Sequence, residues 1–483
     1  MAYIFYDFET SSREPLGQIL SYAFIVVNTN YDVVDELTGL IRVNRTQIPD
    51  LDAILTNKLN IDDLNAHGRS DIETAGLIYS FLDKTVQNHG SCTLAGFNSN
   101  RFDLTFLRNL LIGYGYNPYF KGKLHNKDVL HFAQFLAFQH PDQFPWIRTE
   151  KENTHYYSFK LEDLTTTLGL LTDAQTHNAR DDVILTIQLV RSLEQQFQVS
   201  FMQFEPTQLV HNEIFQGSLE IGKQKVRHYA EGDTPLEKFV YRYFVKVGVL
   251  GKAYLIIDLS QFETLQAQEG KEGWDEASKL SCVRYINPNK AFFIFEPLLE
   301  EERAFYLPLA ESVLSDPYFQ DFQKTPALYF ERAKKDWDIS YQIHELGFER
   351  IDVLRGLLQT LIDNPDTYDE TLKQLIPKQK NSVKDRYLLQ LYNRVYLNHH
   401  PSPNPAYLAK YMGPRYETGS LLRDKTQFTS IKDNYDRLEQ LLNDQESPEQ
   451  MPSSKTLSEQ DLLNLEALKR HVDTCCFETI PIV

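Results

Sequence analysis

Cysteine is scarce in this chain of 483 residues: only Cys92, Cys282, Cys475 and Cys476 occur, and no two are spaced as a C-x-x-C pair. That pattern argues against a disulfide framework and against a cysteine-built zinc site, and it suits a reducing cytoplasm. Long apolar runs are missing as well. No stretch approaches the roughly 20 residues that a membrane-spanning helix needs, and no basic segment followed by an apolar one opens the chain. Neither a membrane span nor a secretory signal is therefore expected. Positive charge is short: 49 Lys and Arg stand against 67 Asp and Glu, giving a formal net charge of -18. Bulk attraction to a polyanion cannot then be the basis of nucleic-acid binding, although a local basic groove, or cations bound among the acids, would still permit it.

What is present describes folded domains. With 42% hydrophobic and 12% aromatic residues the chain can bury real cores, and its length accommodates two to four of them. The most informative stretch is Tyr3-Ile4-Phe5-Tyr6-Asp7-Phe8-Glu9-Thr10. Its aromatic and β-branched content predicts a strand. Side chains alternate across a strand, so Asp7 and Glu9 share a face with Phe5 while Ile4, Tyr6 and Phe8 share the other. Apolar residues on both faces place the strand inside a domain. Two carboxylates side by side in such a place stay ionised when positive charge lies between them, and a divalent cation supplies it. An exposed strand end would accommodate the same pair without a metal.

Two more strands are expected, Ile19 to Val27 and Asp32 to Arg42, and Leu51 to Phe81 carries helical patterning, with Ala75, Ile78, Tyr79 and Leu82 as an apolar stripe. Cys92 to Phe97 reads as a short buried strand, Asn98 to Phe102 as a turn, and Asp103 as the start of a helix. Capping explains an acid there as well as a functional role does, yet the carboxyl end of a strand is also where α/β sheets place their sites. A third stretch begins at Ser158-Phe159-Lys160-Leu161-Glu162, passes Gly169, and leads through His177-Asn178-Ala179-Arg180-Asp181-Asp182 into an apolar helix. Adjacent acids at a helix start are also what the helix macrodipole favours.

Taken together, Asp7, Glu9, Asp103, His177 and Asp182 resemble the DEDD exonucleases, in the subclass that carries histidine. The spacing His-x4-Asp selects Asp182 over Asp181, and Asn178 stands where the tyrosine subclass would have its tyrosine. Within that superfamily the chain resembles bacterial exodeoxyribonuclease I, through Gly96-Phe97-Asn98-x2-Arg101-Phe102-Asp103, Ser158-Phe159-Lys160-Leu161-Glu162-x-Leu164 and His177 to Val183. The resemblance implies an α/β fold: a ribonuclease H-like exonuclease domain with a mixed sheet over residues 1–200, a small SH3-like β-rich domain over 201–345, and a helical C-terminal domain over 346–483. It implies a processive 3′→5′ exonuclease that hydrolyses single-stranded DNA to 5′-mononucleotides in DNA repair and recombination. By the same resemblance Asp7, Glu9, Asp103 and Asp182 hold two Mg²⁺ ions, for which Mn²⁺ can substitute, and His177 is the general base. Thr10, Gln18, Arg101 and Lys160 are expected at the substrate.

A further implied partner is the acidic C-terminal tail of single-stranded-DNA-binding protein; the expected state is a cytoplasmic monomer. Two other readings stay open, namely a proofreading or RNA-trimming enzyme of the same superfamily and a catalytically silent DNA-binding scaffold. Intact Asp7, Glu9, Asp103, His177 and Asp182 speak against the scaffold.

Beyond Phe201 the pattern changes. Val240 to Gly248 and Ala253 to Leu259 read as strands, as does Ala291 to Phe295, and Arg242 and Lys246 alternate with aromatics. With Lys223, Lys225 and Arg227 upstream, such a face can track a nucleic-acid backbone or simply face water. From Leu346 the chain is helical, with a stop at Asn364-Pro365, a polar segment from Gln445 to Thr456, and a last helix opened by Ser458 with Asp461 three residues on. The histidines His125, His131, His399 and His400 lack carboxylate spacing and read as surface or loop residues.

Overall fold

The computed structural model describes residues 2–151, 154–171, 178–205, 214–221, 239–250, 253–269, 279, 281–287, 294–296, 298–324, 339–341, 343–379, 382–417, 430–446 and 457–478. In chain order the first part comprises β1 (Ala2–Thr10), β2 (Ile19–Val27), β3 (Val33–Leu40), α1 (Leu51–Asn57), α2 (Ile61–His67), α3 (Asp71–His89), β4 (Cys92–Gly96), α4 (Asp103–Gly113) and β5 (Leu124–Asp128). Then come α5 (Val129–Gln139), β6 (Ile147–Lys151), β7 (Thr154–Ser158), α6 (Leu161–Thr167) and α7 (Ala179–Phe197). A β-rich stretch follows: β8 (Ile214–Ile221), β9 (Phe239–Leu250), β10 (Ala253–Asp258), α8 (Leu259–Glu269), β11 (Val283–Ile286), β12 (Ile294–Glu296), α9 (Glu300–Ser315) and α10 (Pro317–Lys324). The remainder is helical: α11 (Phe348–Asp363), α12 (Tyr368–Gln379), α13 (Val383–His399), α14 (Pro405–Glu417), α15 (Ile431–Glu446) and α16 (Glu459–Val472).

By packing, the chain divides into two compact units, neither continuous in sequence. One is Met1–Asn126, Thr176–Ile184 and Ala333–Val483; the other is Lys127–Gln175 and Leu185–Arg332.

The first unit holds a mixed sheet ordered β3-β2-β1-β4-β5. β1 is its centre, antiparallel to β2 and parallel to β4. That position explains its composition, since a central strand covered on both faces needs apolar side chains on both. Ile4, Tyr6 and Phe8 pack with Phe24 of β2, Ile78 and Leu82 of α3, and Leu104, Leu107 and Leu111 of α4. A second core joins the helices α11 to α16 to α1 and α2, through residues such as Leu354, Leu391, Tyr392, Leu465 and Leu468 against Leu51, Ile54, Ile61 and Leu64.

Polar bonds follow the same seam. Asn434 Oδ1 accepts from Leu51 N and its Nδ2 donates to Pro49 O. Lys58 Nζ lies 2.6 Å from Asp461 Oδ1, and Asn464 Nδ2 donates to Lys58 O at 3.1 Å. The Ser458–Asp461 capping box that opens α16 is formed.

The second unit contains the β6–β7 hairpin and an antiparallel sheet ordered β11-β10-β9-β8-β12, the β-rich, SH3-like element expected from the sequence. One sheet face, with Val245, Val247, Leu255 and Ile257, packs on Phe262, Ala310, Val313 and Phe319. The cross-strand register puts Arg242, Lys246 and Arg284 on the opposite face. Lys223, Lys225, Arg227 and most of the Gln445-to-Thr456 segment lie outside the described residues. Among the described residues no helix is long and apolar enough to cross a membrane.

Two histidines differ from the surface-or-loop expectation. His131 is buried on α5, and His399, the last residue of α13, has Nε2 2.8 Å from Asp71 Oδ1. Linear spacing could not reveal either, because the partner surfaces come from elsewhere in the chain.

Gly115 marks how tightly the helical segment sits on the sheet domain. Its φ is +76°, and a Cβ there would lie 2.6 Å from the backbone N and Cα of Arg355. Neither atom can yield without moving α11. Gly115→Ala is expected to destabilise the protein by about 2–4 kcal/mol in urea unfolding; an unchanged midpoint would contradict this packing.

Candidate metal centre

The centre is built at the carboxyl end of β1. β4 pairs with β1 only from Ala2↔Cys92 to Phe5↔Ala95 and stops at Gly96. Asp7 and Glu9 lie beyond that last pairing, at the point where β1 has a parallel neighbour on one side and an antiparallel one on the other. Crevices of this kind are where open α/β sheets place ligands. Gly96 makes the exit possible, because a Cβ there would lie 2.8 Å from Tyr6 O and 2.6 Å from Ser99 Cβ. Asn98 takes a left-handed conformation at φ 57°, and Ser99 O accepts from Leu104 N at 2.9 Å, so the chain turns directly into α4.

Asp103 is the first residue of α4, and Phe102 occupies the capping position without a side-chain hydrogen bond. Capping therefore does not account for this acid. At 3% exposure it is buried.

Asp182 arrives on the first turn of α7. Asn178 caps that turn: its Oδ1 accepts from Arg180 N at 3.0 Å and its carbonyl from Asp182 N at 3.0 Å. Asp181 is exposed while Asp182 is buried. Arg180 reaches back to β3 with two bonds to Glu36, Nε to Oε1 at 2.7 Å and Nη2 to Oε2 at 3.1 Å. An exposed ion pair contributes little stability, but a bidentate one fixes the direction in which α7 enters. Sequence reading missed Arg180 and Glu36, whose separation along the chain leaves no local signal.

Asp7, Glu9 and Asp182 offer carboxylate oxygens that all lie within 4.8 Å of one another. Asp103 is close enough that its charge is the largest electrostatic influence on Asp7. Burial pushes the Asp7 carboxyl well above its ordinary value, and the charges of Asp103, Glu9 and Asp182 push it further. Burial likewise raises Glu9 to about 8, with Asp182 and Asp103 adding to the shift. Four acids from three distant segments thus repel one another in a dry place, and a cation removes both penalties. Hard oxygen donors with no cysteine among them suit Mg²⁺ or Mn²⁺.

His177 lies outside the described residues. Thr10 and Gln18 are buried and hydrogen-bonded within the protein. Thr10 Oγ1 donates to Ser12 O, while Gln18 Nε2 donates to Arg42 O and its Oε1 accepts from Asn44 N. Arg101 is exposed on the turn before α4, and Lys160, also exposed, belongs to the second unit at the start of α6.

No protein-family model and no curated protein matches the chain. Solved structures do. Exonuclease I from Methylocaldum szegediense superposes with a TM-score of 0.61 at 16% identity, covering 98% of this chain and 99% of that one. E. coli exonuclease I in complex with a dA16 oligonucleotide gives 0.60 at 15% identity with the same coverage. The zinc-bound form of the E. coli ExoI–ssDNA complex gives 0.61 at 16%, again with that coverage. At such identities the likeness establishes a shared fold over nearly the whole chain.

The electrostatics generate a testable pH effect in metal-free protein. Glu9 has a folded pKa of about 8 against an ordinary 4.5, so the folded state binds the extra proton between those values. Stability is then fullest at low pH and falls as pH rises through about 8. Glu9→Gln removes the charge and is expected to raise metal-free stability by about 2 kcal/mol near pH 8 and by little near pH 5. Millimolar Mg²⁺ should reverse the order by stabilising only the wild type. Thermal melts at both pH values check this; a variant no more stable than wild type near pH 8 would contradict it.

Proposed function

We propose that this chain, which shares the fold of exonuclease I from end to end, is a 3′→5′ exonuclease that degrades single-stranded DNA to 5′-mononucleotides. The observation that carries the reading is the meeting of Asp7, Glu9 and Asp182 oxygens within 4.8 Å, with Asp103 beside them, at the end of the central strand. The solved relatives described as bound to oligonucleotides agree with a single-stranded substrate.

Asp7, Glu9 and Asp182 would hold one divalent ion; Asp7 and Asp103 would hold a second. Bound there, Mg²⁺ or Mn²⁺ supplies an acidified water and offsets the charge that gathers on phosphate and leaving oxygen. The carboxylates must be ionised to serve, and burial among like charges means that they ionise together with metal binding. His177, from the sequence pattern, takes the proton from the attacking water, a task its ordinary pKa near 6.5 suits. The surrounding apolar strand keeps competing water away from the four acids.

Three segments divide the labour in this reading: residues 1–200 carry the chemistry, while 201–345 and 346–483 bind the strand and keep it in place, which makes hydrolysis processive. The half-exposed Lys246, on the second unit's sheet, is a cation offered to the backbone, with Arg242 beside it already paired to Asp258. We assign the protein to a cytoplasmic role in DNA repair, acting as a monomer that engages the acidic tail of single-stranded-DNA-binding protein. A proofreading or RNA-trimming enzyme is the second reading; the fold shared over 98% of the chain with exonuclease I favours the first.

Oligonucleotides labelled at either end, as DNA and as RNA, separate the readings. Mononucleotide release from 3′ ends of DNA, abolished by EDTA, is expected; release from RNA alone would support the rival, and binding without release would remove the enzyme. Asp182→Asn and His177→Ala are each expected to lower kcat by about 10²–10⁴ with substrate binding retained. Wild-type turnover in His177→Ala would take the proton-transfer role from it.

A further inference from the structure

A second series of polar residues, buried or half-buried and linked by hydrogen bonds, starts at the turn beyond Glu9. The turn after Glu9 is closed by Ser11, whose N–H donates to Gln18 O at 2.8 Å and whose hydroxyl accepts from Gln18 N at 2.8 Å. Gln18 Oε1 accepts from Asn44 N at 2.8 Å. Asn44 Nδ2 donates to Gln47 Oε1 at 2.8 Å and to Asp71 Oδ2 at 2.5 Å. Gln47 returns to the turn, donating from Nε2 to Leu16 O at 2.9 Å and Gly17 O at 3.0 Å.

The series ends in the helical segment. Asp71 Oδ1 lies 2.8 Å from His399 Nε2, and the Tyr114 hydroxyl lies 3.2 Å from the same nitrogen. Burial alone would raise the Asp71 carboxyl, but His399, Tyr114 and Asn44 hold it below its ordinary value. The Asn44–Gln47 stretch is gripped from that side too. Arg45 Nη1 donates to Leu397 O at 2.9 Å, and Thr46 N donates to Asn398 Oδ1 at 3.0 Å. One short stretch of backbone is thus bonded to the turn beyond Glu9 on one side and to the end of α13 on the other.

We infer that Asn44, Asp71 and His399 are positioning residues for the metal-binding carboxylates. His399 fixes the Asp71 carboxylate, Asp71 fixes Asn44, and Asn44 with Gln18 and Gln47 fixes the turn that sets where Glu9 points. The helical segment completes the metal centre without touching it. Outer groups that orient ligands commonly govern metal affinity as strongly as this arrangement requires. The inference rests on the metal-ion reading of the site.

Full-length wild type, Asn44→Ala, His399→Gln and the double variant Asp71→Asn/His399→Gln are titrated with Mn²⁺ by calorimetry, then assayed on a single-stranded oligonucleotide at saturating Mn²⁺. Asn44→Ala keeps the Asp71–His399 pair and so leaves no buried charge unmatched. Both single variants are expected to bind Mn²⁺ about tenfold more weakly, with kcat lowered and KM changed by less than about twofold. The double variant, a neutral amide pair, is expected to recover most of the affinity.

Should His399→Gln lack native near-ultraviolet dichroism, Asn44→Ala decides the matter alone. Wild-type Mn²⁺ affinity and kcat in folded Asn44→Ala overturn the inference, and a folded double variant without recovery removes Asp71 and His399 from the role. Wild-type protein that binds no Mn²⁺ overturns the metal-ion reading itself, and the inference with it.

Discussion

Mutual repulsion among four clustered carboxylates, three buried and Asp7 half-buried, is the constraint on which the structure turns. Burial and like charge both oppose bringing Asp7, Glu9, Asp103 and Asp182 together. The assembly is held by everything around it: a central strand packed on both faces, a glycine that lets β4 end against Tyr6, and a capped helix that delivers Asp182. Such sites trade stability for a place where a cation binds strongly.

The helical segment takes part in that support. Its core is continuous with α1 and α2, and many of its polar bonds fall on residues 45–60, close to the turn beyond Glu9, with others on Asp62, Asp71 and Tyr114. Contact, rather than chain order, decides the compact units, and the segment that would be read as an appended domain shares a unit with β1.

Much of the first unit was legible in the sequence. The strands through Asp7, Ile19 and Cys92, the helix from Asp103 and the capped helix from Ser458 follow from alternation, turn residues and a capping box, all local signals. The acid set was legible only as a pattern, because each member alone has an ordinary explanation; burial of Asp103 behind a non-capping Phe102 could not be read from spacing. What stayed hidden was nonlocal. The Arg180–Glu36 bridge, the Asp71–His399 pair and the burial of His131 each join segments far apart in the chain, and no periodicity encodes them. Thr10 and Gln18 looked available for a ligand because their hydrogen-bond partners, Ser12, Arg42 and Asn44, could not be assigned before the turn was seen.

Anomalous scattering from a crystal soaked in Mn²⁺ tests the central claim most directly. The account predicts density for divalent ions in contact with the carboxylate oxygens of Asp7, Glu9 and Asp182, with Asp103 beside it. A soaked crystal with no anomalous peak at these four residues, or with its only peaks elsewhere, would contradict it.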